Sequence, residues 1–373
     1  MKILIAGDFC PQYRVASLFE SKDFVTVLGE VKPILEKSDY SIVNFECPVT
    51  KGGESPIEKC GPNLQCSEKG IEAVKWAGFD SVTLANNHFL DYGAEGVENT
   101  LRACKKHDVD TVGGGMNLQE ASKILYKEIG GKTLAIINCC EHEFSIATDT
   151  SAGSNPLNAI QQYYAIQEAR KNADYVLVIV HGGHEHFQLP SPRMQETYRF
   201  FIDAGADAVV NHHQHCYSGY EVYKGKPIFY GLGNFCFDEK NNYSGIWNEG
   251  FLLELSFADE VTYKMYPYYQ CNQKASVCIM KDNDYAAFEK RVENFNLTIS
   301  DRVKLRREHE KWMGKFQKSY ELLFQPYCGR ILKGLYVRNI LPSFMNNKKK
   351  LQILNYLICE AHLDRFKYVV YHM

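Results

Sequence analysis

The chain has 373 residues, of which 45% are hydrophobic and 23% are charged. This composition is typical of globular proteins and excludes disordered, collagen-like and coiled-coil chains. No apolar run reaches the roughly 18 residues that a membrane span needs, and the chain opens directly on a strand-like segment, so we expect neither a transmembrane segment nor a signal peptide. The length predicts two or so domains, or one large domain with an appendage.

Charge is distributed unevenly along the chain, whereas the cysteines are scattered through all of it. The net charge of −3 is the sum of −11 on residues 1–280 and +8 on residues 281–373. The thirteen cysteines are odd in number, scattered and free of any Cys-x-x-Cys pair, which argues against a disulfide framework and a zinc ribbon. We therefore expect buried thiols and a cytoplasmic protein.

Short apolar runs alternate with amphipathic stretches through the first 240 residues, a pattern typical of an α/β protein with a largely parallel sheet. Strands are predicted over residues 2–7, 40–45, 81–85, 133–138, 175–180 and 208–211. Helices are predicted over residues 68–77, 95–107, 159–173 and 193–204, with Gly78 and Gly205 at C-cap positions.

The sequence pattern changes after Gly219, from alternating strands and helices to hairpins. Hairpins are predicted from residues 220–223 with 227–230 and from 251–257 with 261–266, and helices over 285–295, 302–324 and 350–363. We therefore predict an α/β domain over residues 1–280 and a basic helical extension over 281–373, packed on the outside of the core and away from the functional site.

Polar residues collect at the predicted strand ends. They are Asp8, then Asn44 and Glu46, then Asn86, Asn87 and His88, then His181 and Glu185, and finally His212, His213 and His215. In an open parallel sheet these points share the carboxyl edge, where such sheets bind ligands. Singly they have plainer explanations: Asp8 as a cap, Asn86-Asn87 as a turn, a buried histidine as a hydrogen-bonded core residue. Six of the twelve histidines in two short windows favour a metal site.

Mixed carboxylate, amide and imidazole donors suit Mn, Fe or Zn better than Ca or Mg. The donors outnumber what one tetrahedral ion can use. This surplus predicts two divalent metal sites in one cleft, where the ions would hold an oxyanion and lower the pKa of a bridging water.

Several motifs in consistent order carry a family resemblance. They are Asn44-x-Glu46, Leu84-Ala85-Asn86-Asn87-His88 with Asp91-Tyr92-Gly93, His181-Gly182-Gly183, His212-His213-x-His215 and Gly231-Leu232-Gly233-Asn234-Phe235. Over about residues 1–240 the chain resembles the CapA family of capsule (poly-gamma-glutamate) biosynthesis proteins, which is related in fold to the calcineurin-like metallophosphoesterases. The resemblance implies a metallophosphoesterase-like layered α/β core with mixed sheets, plus a C-terminal helical extension.

The resemblance also implies residue roles. Asp8 would bind one metal, Glu46 would lie between the two, and Asn87, His181, His213 and His215 would complete the ligand sets. His88 and Asp91 would be catalytic, with His88 as proton donor or oxyanion stabiliser; alternatively His88 only orients Asp91. Substrate contacts or supports of the ligands would be Asn44, Asn86, Glu185, His212 and Asn234. Cys10 stands where related phosphoesterases have a histidine, so one metal would be weakly held or absent.

These expectations favour a metal-dependent hydrolase of phosphoesters or glutamyl amides in bacterial capsule or envelope polymer synthesis. The alternative is a non-catalytic, polymer-binding member of a synthesis complex. The expected ligands are an anionic polymer or a phosphorylated small molecule, together with envelope-synthesis partner proteins and no specific nucleic acid.

The lysines of residues 348–350 would be either a solvated helix face or a contact with an anionic polymer or the inner face of the membrane. The irregular residues 54–65 are predicted to form a lid or substrate loop.

Overall fold

The computed structural model describes residues 1–371. Within these residues, all strands lie between Lys2 and Ile279. In chain order they are β1 (Lys2–Cys10), β2 (Tyr40–Phe45), β3 (Ser81–Thr83), β4 (Asp110–Val112), β5 (Gly114–Gly115), β6 (Leu125–Ile129), β7 (Lys132–Cys140), β8 (Gly153–Ser154), β9 (Tyr175–His181), β10 (Ala208–His212), β11 (Tyr220–Tyr223), β12 (Lys226–Phe229), β13 (Asn234–Phe237), β14 (Glu249–Ser256), β15 (Thr262–Gln270) and β16 (Val277–Ile279).

Helices alternate with the early strands and then take over the C-terminal part of the chain. They are α1 (Tyr13–Glu20), α2 (Phe24–Leu28), α3 (Lys32–Leu35), α4 (Lys69–Ala77), α5 (Gly93–Lys106), α6 (Leu118–Ala121), α7 (Ala159–Asn172), α8 (Pro192–Ala204), α9 (Asp282–Ser300), α10 (Arg302–Gly314), α11 (Gln317–Glu321), α12 (Arg330–Val337), α13 (Asn347–Ile358) and α14 (Glu360–Tyr371), with short 3-10 turns at Ile246–Asn248 and Leu322–Phe324.

Two mixed sheets form the core. The larger has eight strands in the order β16-β15-β14-β1-β2-β3-β4, with β13 pairing to β1 beside that path. Its strands β1 to β4 run parallel, whereas β14, β15 and β16 are antiparallel. The smaller sheet has the order β11-β12-β10-β9-β7-β6, with parallel central strands and an antiparallel strand at each edge.

The side chains of β1 show how the layers pack. Ile3 and Ile5 point into an apolar cluster that also contains Ile136 of β7 and Ile179 of β9, so the two sheets lie face to face. Leu4, on the opposite face of β1, joins a second cluster with residues of α1, α4 and α5. Helices α7 and α8 pack against the smaller sheet. The predicted class, a layered α/β core with mixed sheets and a C-terminal helical region, is confirmed.

The predicted elements of the first 280 residues all occur, and β2 has the predicted bounds. Two predictions for the C-terminal helices are wrong. The predicted helix over 302–324 is interrupted after Gly314, a residue of low helix propensity. The predicted helix over 350–363 is two helices, because Cys359 between α13 and α14 has extended backbone angles (φ −85°, ψ 118°).

The chain forms two compact units, Met1–Arg306 and Arg307–Met373, which divide within α10. The first unit includes α9, whose Phe288 and Val292 are buried in the cluster between the sheets. Independent folding of residues 1–280 stays a prediction. Within residues 1–371, no helix is both long and apolar enough to span a membrane.

Candidate metal centre

The polar residues predicted at strand ends meet where the carboxyl ends of the two sheets come together. The strands β1, β2 and β3 bring their residues from the larger sheet, and β9 and β10 bring theirs from the smaller. The expectation of one open sheet is therefore wrong, because these strands bury apolar faces against each other. All but Glu185 of the predicted site residues are buried: Asp8, Asn44, Glu46, Asn86, Asn87, His88, Asp91, His181, His212, His213, His215 and Asn234.

Glu46 is at the centre of this group. Its side chain is 0% exposed, and neither carboxylate oxygen has a hydrogen-bond partner. Oε1 lies 3.5 Å from Nε2 of His181 and 3.8 Å from Nε2 of His215. Burial and the neighbouring Asp8 carboxylate raise the pKa of Glu46 well above its ordinary value. A buried carboxylate without a hydrogen-bond partner is costly, so the surroundings of Glu46 fit a site that binds a cation.

Two groups of potential ligand atoms share this carboxylate. One is Glu46 with His181 and His213, and the other is Glu46 with Asp8 and His215; the ligand atoms of each group lie within 4.8 Å of one another. Carboxylate oxygen and imidazole nitrogen suit Mn, Fe and Zn. The residues therefore fit a divalent ion, and Glu46 is the one residue common to both groups.

Asp8 is held by neighbours on several sides. It accepts hydrogen bonds from Nδ2 of Asn44 at 2.8 Å and from the backbone N–H of His213 at 3.3 Å. Burial opposes its ionisation, but the hydrogen bond with His215 and the charge of His212 outweigh burial and hold the pKa of Asp8 below its usual range. Asp8 is therefore an ionised, oriented carboxylate.

The three histidines grouped around Glu46 have different charge states. Burial lowers the pKa of His181 to about 3, and it lowers that of His213 well below its ordinary value. Burial also acts against protonation of His215, but Glu46 and Asp8 raise its pKa to about 10. Neutral imidazoles offer a lone pair to a metal. His215 is thus protonated beside the carboxyl groups of Glu46 and Asp8, and a divalent cation bound there would replace this positive charge.

Backbone strain marks the same segment. His213 (φ 89°) and His215 (φ 54°) both have left-handed backbone angles, which residues with a side chain adopt at a cost of about 1 to 3 kcal/mol each. Asn234 holds the ring of His215, with its Oδ1 3.0 Å from Nδ1 of that ring. Such strain persists only where the surroundings enforce it, and it concentrates at functional sites.

Amide side chains support the imidazoles. Asn44 Nδ2 lies 3.2 Å from Nδ1 of His181, and Oδ1 of Asn87 lies 2.9 Å from Nε2 of the same ring. Asn86 instead braces the turn, donating to the carbonyl of Phe45 and accepting from the backbone N–H of His88. Asn87 thus lies beside the ligand groups, whereas Asn86 shapes the backbone.

His88 and Asp91 form a buried pair beside this centre. Nδ1 of His88 lies 2.7 Å from Oδ2 of Asp91, which also accepts from the backbone N–H of Leu64 at 2.7 Å. Since Nδ1 is engaged, Nε2 is the nitrogen of His88 left for a ligand. Lys59, whose ammonium forms an ion pair with Asp91, is not among the residues predicted from the sequence. Its one sequence signal was its place in the irregular loop over residues 54–65.

A cleft of about 240 Å³ opens above the centre, lined in part by Pro62, His88, Glu185, His215 and Trp247. The Trp247 ring packs on His215 with centroids 4.8 Å apart. Glu185 is exposed, and although burial opposes the shift, His215 and His213 lower its pKa. The predicted site residue Glu185 is thus at the mouth of the cleft.

His212 and Cys10 are beside the two ligand groups. Nδ1 of His212 lies 3.5 Å from Asp8, neither ring nitrogen has a hydrogen bond, and burial lowers its pKa to about 4. Cys10 is fully buried and accepts a hydrogen bond from Gln12 at 3.3 Å. Each ligand group has three donors without Cys10. The individual ligand and catalytic roles stay predictions.

The fold and the centre together define an α/β protein with a candidate divalent-metal site between two mixed sheets. The chain belongs to the bacterial capsule synthesis protein family PGA_cap, whose profile matches residues 2–239. This match confirms the family predicted from the strand-end motifs.

Two similar curated proteins carry related names. The chain is 39% identical over 247 residues to the capsule biosynthesis protein CapA of Bacillus anthracis, covering 64% of this chain and 60% of that one. It is 35% identical over 236 residues to the PGA biosynthesis protein CapA of Bacillus subtilis (strain 168), covering 62% of each. The chain thus spans about three fifths of the length of these relatives. Among solved structures, a 5'-nucleotidase precursor from Thermus thermophilus aligns with a TM-score of 0.44 and 14% identity, over 78% of this chain and 57% of that chain.

Proposed function

We propose that the protein is a metal-dependent hydrolase that acts on a phosphoester or a glutamyl amide in bacterial capsule or envelope polymer synthesis. The observation that supports this most is Glu46, a fully buried carboxylate that no protein group hydrogen-bonds and that two ligand groups share. A family of capsule synthesis proteins supplies the polymer context.

Two divalent ions, of Mn, Fe or Zn, would supply a water of lowered pKa and positive charge for a developing oxyanion. Asp8 and His215 would hold one ion, His181, His213 and Asn87 the other, and Glu46 both. Asn44 keeps the Asp8 carboxylate oriented. Because the Cys10 thiol belongs to neither group, one ion would have three protein donors and the other four, which favours unequal affinities.

We assign the proton transfer to His88. Asp91 accepts the Nδ1 proton, and the ring lines the cleft, so a doubly protonated His88 would donate its Nε2 proton to the oxygen or nitrogen that leaves and remain as the Nδ1–H tautomer. General acid catalysis of this kind contributes about 10²- to 10⁴-fold. Asp91 fixes the tautomer and the ring orientation, which makes His88 and Asp91 one functional pair.

The experiment measures bound metal and turnover on the same preparations. Wild-type protein loaded with Mn²⁺ should contain metal by elemental analysis and hydrolyse an aryl phosphate. Asp8→Ala and His213→Ala should lose metal, whereas His88→Ala should keep metal and lose turnover. His142→Ala, an exposed histidine outside the centre, is the matched control. Folded protein that takes up no metal under any loading condition would rule the proposal out.

The alternative is a non-catalytic member of a polymer-synthesis complex that binds a glutamyl or glycan chain. Cys10, standing where related phosphoesterases have a histidine, favours it. Metal-dependent aryl phosphate turnover that His88→Ala abolishes would exclude a purely binding role.

We further propose a cytoplasmic location with peripheral contact to the inner face of the membrane. Residues 307–373 carry 12 basic and 5 acidic side chains. The same unit exposes large apolar side chains, among them Leu351, Ile358 and Tyr371. Basic surfaces with exposed apolar groups bind anionic lipid, so the protein should sediment with vesicles that contain phosphatidylglycerol and should be released by high salt. Absence of sedimentation at low salt would contradict this contact.

A further inference from the structure

Asp91 has more partners than a residue that only orients His88 would need. Besides His88, it forms an ion pair through Oδ1 with Lys59 and accepts through Oδ2 from the backbone N–H of Leu64. Its backbone carbonyl accepts from the N–H of Ile57 at 2.9 Å. Three of these contacts come from the loop over residues 54–65, so Asp91 joins this loop to His88.

Lys59 is unusual within that loop. Its side chain is 3% exposed, and that of Asp91 is 0% exposed, whereas the flanking Glu58 and Cys60 are exposed. A buried charge pair is kept only with good geometry, and removing one partner leaves the other charge uncompensated. Nζ of Lys59 also lies 3.2 Å from Nδ1 of His88. The ammonium therefore contacts both members of the proposed catalytic pair.

The loop begins after two glycines and ends at the cleft. Gly52 (φ 90°) and Gly53 (φ 109°) precede it, and a side chain added at either would meet no atom within 4 Å. Its later residues Pro62 and Leu64 line the cleft above the metal centre. Between these two parts, the Asp91 contacts of Ile57, Lys59 and Leu64 are what hold the loop against the catalytic pair.

We infer that Lys59 is a positioning residue: its ammonium latches the 54–65 loop onto Asp91, so that closing the loop over the cleft and orienting His88 are one event. The contacts of Lys59 with Asp91 and His88 support the latch by themselves. The effect of the latch on catalysis rests on the proposed hydrolase function. Lys59 is not assigned any contact with substrate or metal.

The first measurement is hydrogen exchange of the full-length, Mn²⁺-loaded protein. Lys59→Met should raise the exchange rate of peptides from the 54–65 loop about tenfold or more, with little change elsewhere. Lys59→Arg keeps the charge and the donors, so it should retain most of the protection. Lys51→Met removes an exposed lysine just before the loop and should change nothing. Loop protection equal in Lys59→Met and wild type would overturn the latch.

The second measurement separates a positioning role from a merely structural one. A correctly held His88 matters most for a poor leaving group, so Lys59→Met should lower kcat on phenyl phosphate about 10²-fold and lower it much less on 4-nitrophenyl phosphate. Lys59→Arg should restore much of the difference. An equal loss on both substrates would overturn the link to His88.

Two outcomes keep this inference distinct from the proposed function. If wild-type protein binds metal but hydrolyses neither ester, the hydrolase proposal fails while hydrogen exchange still decides the latch. If Lys59→Met does not fold, Lys59→Gln replaces it, because the glutamine amide can still donate to Asp91. The exchange rate of the loop in Lys59→Gln should then lie between the rate in Lys59→Arg and the rate of a fully open loop. Protection of that variant equal to wild type would overturn the need for the ammonium.

Discussion

Replacing Glu46 by glutamine should have opposite effects on the metal-free and the metal-loaded protein. At pH 7 a buried carboxyl whose pKa is raised above the ordinary 4.5 can avoid its charge by binding a proton, which limits its penalty to about 3 kcal/mol. The protonated His215 at 3.8 Å offsets part of this. Glu46→Gln should therefore stabilise the metal-free protein by about 1 to 2 kcal/mol, or about 2 to 5 °C in Tm.

The metal-loaded protein should respond in the reverse direction. An ion at 100 times its Kd stabilises the native state by about 2.7 kcal/mol, and the variant loses the carboxylate that both ligand groups share. Thermal unfolding with EDTA and with Mn²⁺ measures both effects. A raised carboxyl pKa costs stability only above the pKa of the unfolded chain, so the metal-free gain should be larger at pH 7.5 than at pH 5.

Glu221→Gln is the matched control. Glu221 accepts from Arg199 and from the hydroxyl of Tyr230, so its neutralisation should lower metal-free stability and leave the Mn²⁺ response unchanged. If Glu46→Gln instead destabilised the metal-free protein and kept the full Mn²⁺ response, Glu46 would be an ordinary structural carboxylate and the reasoning would be refuted.

Three further predictions concern the support of the centre. Asn44→Ala should weaken Mn²⁺ binding about 10- to 100-fold by calorimetry, because Asn44 orients Asp8; unchanged affinity would contradict its supporting role. Gly7→Ala should lower the free energy of unfolding in urea by about 3 kcal/mol, since a β-carbon there would lie 1.8 Å from the carbonyl oxygen of Gly233; a stable variant would show that β1 and β13 can separate. Truncation after residue 306 should leave metal binding intact. Truncation after residue 280 should reduce solubility, because it removes the buried Phe288 and exposes the apolar residues that Phe288 covers; equal solubility of the two truncated proteins would show that α9 is dispensable.

The elements that are predictable from the sequence are those in which one physical signal dominates. The buried strands β1, β2, β9 and β10 are short apolar runs that end in polar residues, and both features are visible in the sequence. Division of these strands between two facing sheets was not predictable in this way. A strand buried on both faces reads the same whether it is covered by helices or by another sheet.

The site shows the same limit. Asp8, Glu46, His181, His213 and His215 are close in space because each lies near the carboxyl end of a strand, which makes them predictable as a set. Lys59 follows no strand and belongs to no periodic segment, and its burial depends on Asp91, 32 residues later. Partnerships set by the path of an irregular loop leave no local pattern in the sequence.

The charges of the centre bear on both functional hypotheses. Asp8 and Glu46 are buried carboxylates, and Glu185 adds a third at the mouth of the cleft. The amides of Asn44 and Asn87 beside them are neutral. Positive charge in the same place comes from His215 and from Lys59 beside His88. A bound divalent cation would add to it, and would favour the entry of an anionic polymer or a phosphate whether or not a bond is then broken. Metal binding is thus expected under the hydrolase proposal and under the polymer-binding alternative alike, and only turnover that depends on His88 separates the two.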